Sequence, residues 1–237
     1  MSLRPLFCNG MLPNGVFDIG RYGLLHIHTR DKRSQDGLFC DDVWPGSVVL
    51  SNYLLTNINL IRDMVVLELG AGASLPSFVC SKLGAKLNVI TDYPGESVIE
   101  NIRILKDRNF TSEDNGKIVI QEHIWGENTI VLRALDGSDG EAGFDVILLA
   151  ELFWKQTSHL YKQLLDSCVD CLGNEGIILV SFAHRDAAEY TYETVMQFFE
   201  LAERCYSLKT TWIQDTVVRD VDDCDDVCVK LAIMRRS

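Results

Sequence analysis

From Met64 onward the chain alternates apolar runs with amphipathic ones, and this rhythm constrains the fold more than any other feature. MVVLEL (64–69), LNVIT (87–91), residues 117–122, DVILLA (145–150) and GIILVSF (176–182) each read as a strand. Continuous apolar runs of this length suit parallel strands covered on both faces. Helices are expected between them. The first runs from Leu75 to Leu83, with Pro76 in its first turn and Gly84 closing it. Others are expected over Glu96 to Arg108, over Leu160 to Leu172 ended by Gly173, and from about Ala187 to Arg204. Two further strand-like runs, Leu208 to Val218 and Val227 to Met234, are joined by RDVDDCDD, which is too short for a crossover. They must therefore be antiparallel. Right-handed crossovers place helices on both faces of such a sheet. The expected fold class is α/β: a Rossmann-like, seven-stranded, mostly parallel sheet with one antiparallel C-terminal strand.

The first 63 residues lack this rhythm. VFDIG and LLHIHT read as short strands around Arg21 to Gly23, and Pro45 to Leu55 reads as a helix. The expected organisation is an N-terminal cap, residues 1–63, packed on a core domain, residues 64–237. MSLRPLFCNGMLPNG carries no apolar stretch of the secretory kind, and no run approaches the roughly 20 apolar residues of a membrane span. A cytoplasmic protein with no membrane partner is expected. The net charge of −12, from 34 acidic and 22 basic residues, repels phosphate backbones and argues against nucleic acid as a partner. It favours a cationic partner such as a lysine-rich protein segment.

Cys168 and Cys171 form CVDC, and Cys224 and Cys228 form CDDVC, together the spacing of a four-thiolate zinc site. Against it, Leu160, Leu164, Leu165, Cys168 and Leu172 recur at helical intervals, which puts Cys168 in the core. No metal is expected.

In open α/β sheets ligands bind at the carboxyl ends of strands, where the strand order reverses. The loop after the first core strand reads G-A-G-A-S-L-P and lacks the third glycine of a dinucleotide fingerprint, because position 75 is Leu. Gly70 and Gly72 still let a ligand approach the backbone. Asp92, in TDYPG, stands about 20 residues on, the interval at which an acid meets ribose hydroxyls. A nucleoside cofactor with little phosphate recognition fits both features. Trp44 and Trp125 each lie beside a loop, where either core packing or ligand contact is open; Trp125 follows the third core strand, within reach of an adenine. The fourth ends in AELFWKQT, where Glu151, Phe153 and Trp154 would meet an acceptor. A carboxylate orients an amine, and aromatic walls bind an ammonium or disfavour its charge by desolvation.

With these residues in place the chain resembles the family 16 seven-strand methyltransferases, S-adenosylmethionine-dependent protein lysine methyltransferases. The matching text, from about Val43 onward, is VWPGSVVLSNYL, VLELGAGASLPS, TDYP, the tryptophan of HIWG and AELFW. GASLPS with TDYP is most similar to the branch that methylates the N-terminal region of translation elongation factor 1-alpha. The resemblance implies S-adenosyl-L-methionine as cofactor, touched by Trp44, Gly70, Ala71, Gly72, Asp92, Trp125 and Ala150. It implies Glu151 and Trp154 as the catalytic pair, where the family usually has Asp-x-x-Tyr or Asp-x-x-Phe. The longer acid and bulkier ring bear on substrate geometry more than on cofactor binding.

The expected activity is methyl transfer to a lysine side chain or N-terminal amine of a protein with a basic segment, by a monomer. The alternatives are a nicotinamide-type small-amine N-methyltransferase and a non-catalytic module that keeps the pocket. A nicotinamide-dependent dehydrogenase is weaker, for want of the third glycine. His184 reads either as a substrate contact or as a cap, and the acidic turn from Asp220 to Asp226 either attracts a basic substrate or is simply solvated.

Overall fold

Seven strands form one sheet in the computed structural model, which describes residues 11–12, 15–27, 42–111, 117–136, 142–184, 192–219 and 226–237. Three short strands come first: β1 (Met11–Leu12), β2 (Val16–Asp18) and β3 (Leu24–His26), which make a small antiparallel sheet. Helix α1 (Pro45–Thr56) leads into the core, which runs β4 (Val65–Leu69), α2 (Leu75–Lys82), β5 (Leu87–Asp92), α3 (Glu96–Asn109) and β6 (Ile118–Glu122). The second half comprises α4 (Thr129–Arg133), β7 (Phe144–Ala150), α5 (Tyr161–Cys171), β8 (Leu172–His184), α6 (Tyr192–Tyr206), β9 (Leu208–Arg219) and β10 (Asp226–Arg236).

The order across the large sheet is β6-β5-β4-β7-β8-β10-β9. Strands β4 to β8 pair in parallel, while β10 is antiparallel to both β8 and β9. Strand β9 therefore points with the parallel set, and β10 is the single reversed strand, as the short connection required. The order reverses between β4 and β7, which are neighbours although β5 and β6 intervene in sequence.

Two-residue periodicity divides the strand side chains between two cores. Val66, Val146, Leu148, Leu179 and Leu231 pack with Val48, Leu54, Phe78 and Ile102 from α1, α2 and α3. Leu67, Leu69, Ile147, Leu149, Val180 and Ala232 pack with Leu132, Leu164 and Phe198 from α4, α5 and α6. Helices thus cover both faces. Phe17, Ile19, Leu25 and Ile27 from the N-terminal segment are buried in the first core. No helix among the described residues is long and apolar enough to cross a membrane.

The differences from the expected elements are local. Gly173 does not cap α5; the helix stops at Cys171 and the chain enters β8 at once. The glycine is needed because a Cβ there would stand 2.8 Å from the Ala142 carbonyl oxygen. Cys168 and Cys171 are both fully buried in the second core, and burial lifts the Cys168 thiol well above its ordinary pKa and that of Cys171 to about 12. Cys224, residues 220–225 of the acidic turn, His28 and Thr29, and the expected helix start at Ala187 lie outside the described residues.

Candidate active site

Carboxyl ends of β4 and β7 meet at the switch point, and the loops that leave them form the site. After Leu69 the chain turns through Gly70 and Gly72 with φ of 66° and 49°, and Ser74 is also left-handed at 59°. A Cβ on Gly70 would lie 2.7 Å from Leu152 Cδ2 and 3.2 Å from Trp125 Cζ2. Both conformation and proximity therefore require glycine here. The same contacts place Trp125, after β6, and Leu152, after β7, against the glycine loop.

Asp92 locks this loop from the end of β5. Its Oδ2 accepts the Gly72 N–H at 2.7 Å and its Oδ1 accepts the Tyr93 N–H at 2.7 Å. Burial raises the Asp92 pKa, and the two amides pull it back. A carboxylate has about four acceptor sites, so these two bonds leave capacity for vicinal hydroxyls.

Glu68 lies beneath, one residue before the end of β4 and 1% exposed, where its Oε2 accepts the Ser77 N–H in the first turn of α2 at 3.1 Å. Burial pushes its pKa up to about 8, and nearby Asp92 adds to the rise. The folded chain therefore keeps a proton that the unfolded chain releases above the ordinary value of 4.5. The stability this confers is fully present below that value and is lost as pH climbs toward 8, at up to about 1.4 kcal/mol per pH unit. Glu68→Gln, which keeps an acceptor for Ser77, is expected to flatten this decline. Calorimetric melting as a function of pH measures it, and an unchanged slope would refute the assignment.

On the other side of the switch point, Glu151 follows β7 with a left-handed φ of 57° and is 4% exposed. Its Oε1 accepts the Gly46 N–H at 2.8 Å and the Ala183 N–H at 2.9 Å. The Ser181 hydroxyl donates to the Gly46 carbonyl at 2.9 Å, and the Glu151 N–H donates to the Ser181 carbonyl at 2.9 Å. Gly46 is the second residue of α1, so the carboxylate also meets the positive end of that helix. One acid thus ties α1, β7 and β8 together. Gly46 permits it, since a Cβ there would sit 2.8 Å from Glu151 Oε1.

This clamp sets two indoles side by side. Trp44 precedes α1, Trp154 follows Glu151 by three residues, and their rings meet edge-to-face with centroids 4.7 Å apart. Trp154 Nε1–H donates to the Glu151 carbonyl at 2.8 Å. Thr157 fixes the turn by donating to the Leu152 carbonyl and accepting the Trp154 N–H.

The defining pattern of methyltransferase family 16, described as lysine methyltransferase, matches residues 26–203. The chain belongs to that family. A relative from Schizosaccharomyces pombe, named protein N-terminal and lysine N-methyltransferase efm7, is 33% identical over 81% of this chain and 71% of its own length. A Neurospora crassa protein of the same name is 37% identical over 53% of this chain, and the match spans less than half of that relative, 46%. Among solved structures, Burkholderia thailandensis 1,6-didemethyltoxoflavin-N1-methyltransferase, bound to S-adenosylhomocysteine, superposes with a TM-score of 0.55 at 18% identity, over 81% of this chain and 79% of that one. Precorrin-6y C5,15-methyltransferase from Geobacter metallireducens gives 0.54 at 16% identity, over 79% and 87%. These likenesses identify the Rossmann-like methyltransferase fold.

Each residue expected at the family's site is in the matched stretch, from Trp44 to Trp154. Gly70, Ala71, Gly72, Asp92 and Trp125 gather on the β4 side, and Ala150, Glu151, Trp154 and Trp44 on the β7 side. The Glu151 carboxylate is turned beneath α1, where the sequence placed it toward an acceptor. His184 ends β8 on the same edge, its ring 5.5 Å from that of Tyr192. Sequence reasoning missed Glu68, Leu152, Thr157 and Ser167. Glu68 left a visible sign, an acid inside an otherwise apolar strand.

Proposed function

We propose that this chain transfers a methyl group from S-adenosylmethionine to a protein amine, a lysine side chain or an N-terminal amine, with translation elongation factor 1-alpha as acceptor. The observation that carries this reading is the family match over residues 26–203, which includes every residue of the switch-point site. The printed names of the relatives, protein N-terminal and lysine N-methyltransferase, support both kinds of amine. The charge of −12 favours a basic acceptor segment. In this reading the enzyme acts as a cytoplasmic monomer. Residues 1–63 serve as a cap that lends Trp44 to the catalytic domain, residues 64–237.

The residues fit the cofactor. Gly70 and Gly72 bring backbone to the site without side chains, Asp92 has acceptor capacity for ribose hydroxyls, and Trp125 and Ala150 supply apolar walls. S-adenosylmethionine supplies an electrophilic methyl on a sulfonium. The work left to the chain is to present a neutral amine in line with it. Trp44 and Trp154 form an aromatic wall that disfavours the charged amine by desolvation, as burial does for any cation. Glu151 holds that wall from behind and orients the acceptor through it.

Incubation with labelled S-adenosylmethionine and either purified translation elongation factor 1-alpha or nicotinamide tests the reading. Label is expected on the protein, in a lysine-containing or N-terminal peptide; label on nicotinamide alone would overturn it. Asp92→Ala should weaken cofactor binding about a hundredfold, since two hydrogen bonds to a charged group are lost. Titration calorimetry measures this, and wild-type affinity would remove Asp92 from the ribose.

A further inference from the structure

Trp125 stands between two residues that share one partner. The Gly126 N–H donates to Ser167 Oγ at 2.8 Å, and Ser167 Oγ lies 2.9 Å from His123 Nε2. Ser167 is on α5 and fully buried, and His123 is 6% exposed. The hydroxyl has one proton. It also has two lone pairs, so it accepts the Gly126 N–H and either donates to His123 Nε2 or accepts from it, according to the ring's tautomer. Burial lowers the His123 pKa and so favours the neutral ring.

We infer that Ser167 is a positioning residue for the cofactor: it pins the loop on both flanks of Trp125 and so sets the indole against the glycine loop. The inference rests on the proposed role of Trp125 as a cofactor contact. Contact geometry supports the path. Gly126 has φ of 82° and lies flat on α5, where an added Cβ would be 2.9 Å from Gln163 Cβ and 3.2 Å from its Cα. One helical turn from Gln163, Ser167 holds the same loop by its hydroxyl. Next to Gly126 in the loop, Trp125 Cζ2 approaches Gly70 to 3.2 Å, measured to the position a Cβ would take. The path from Ser167 to the cofactor loop is thus one hydroxyl, the Gly126 amide and one indole. Glycine is required at both Gly126 and Gly70 because the packing leaves no room for a Cβ.

Ser167→Ala removes a single oxygen and adds no bulk. It is expected to raise the KM for S-adenosylmethionine about tenfold, the effect of stranding one buried donor. The kcat at saturating cofactor should stay within about twofold, because the groups facing the acceptor are untouched. Hydrogen exchange at the Gly126 amide should accelerate in the same variant. A lower melting temperature with unchanged KM would make Ser167 a core residue only and overturn the inference. Gly126→Ala tests the same path from the other side: its Cβ lifts the loop off α5, and it should reproduce the KM defect. Wild-type KM in that variant also overturns the inference, whether or not Ser167→Ala folds. Trp125→Ala separates the two levels. If it binds S-adenosylmethionine normally, the reading of Trp125 fails; if it binds weakly while Ser167→Ala binds normally, only the positioning role fails.

Discussion

Glu151→Ala is expected to lower stability by about 3 kcal/mol, because two buried backbone donors lose their acceptor. In a chain of this size that corresponds to a fall in melting temperature of about 10 °C. The donors are the Gly46 and Ala183 amides, on α1 and β8. Glu151→Gln keeps an oxygen at the same place, so it should fold normally and keep kcat within about threefold of wild type, because the acid acts by holding the wall and not on the amine. The pair of variants separates the clamp from any direct part in proton transfer. A roughly hundredfold lower kcat in the glutamine variant would show that the charge itself acts on the amine, and alanine with wild-type melting would refute the clamp. Gly46→Ala forms an independent route to the same result, since its Cβ would strike the carboxylate at 2.8 Å.

Gly70→Ala is the second large effect. A left-handed φ of 66° costs an alanine about 1–2 kcal/mol. The new Cβ also meets Leu152 Cδ2 at 2.7 Å. Leu152 is 7% exposed and packed in the second core, so it cannot swing clear, and the strain passes to Trp125 and the loop. Cofactor affinity should fall about a hundredfold, while the loss of stability stays near 2 kcal/mol. Binding within a factor of about three of wild type would show that the loop tolerates a methyl group and that the glycine answers only to the turn.

Much of the fold was legible because parallel strands write themselves as apolar runs. Val146 to Ala150 and Gly176 to Phe182 are buried on both faces, so no partner is needed to recognise them. The reversed strand followed from a connection too short to cross the sheet. What escaped had weak local signals. Helix α4 is five residues long and exposes Ile130 at 76%, so it lacks an apolar stripe. Gly173 carries the usual signal of a helix cap, but its cause is the nearby Ala142 carbonyl, which only the sheet brings there. The site divides in the same way. Gly70, Gly72 and Asp92 are close in sequence and their spacing carries meaning. The bond from Gly46 to Glu151 joins residues 105 apart, and that from Ser181 to Gly46 joins residues 135 apart. No periodicity announces either. Ser167 is a polar residue on the buried face of α5, and its purpose depends on a loop from elsewhere.

Those long separations set the order in which the site comes into being. Synthesis delivers the N-terminal end first. The glycine loop and Asp92 emerge early and lie close enough to meet while the ribosome is still at work. Gly46, two residues past Trp44, also emerges early, but Glu151 and Ser181, which hold it, are made more than a hundred residues later. The bond between Gly72 and Asp92 can therefore close on the nascent chain well before the clamp that fixes the start of α1.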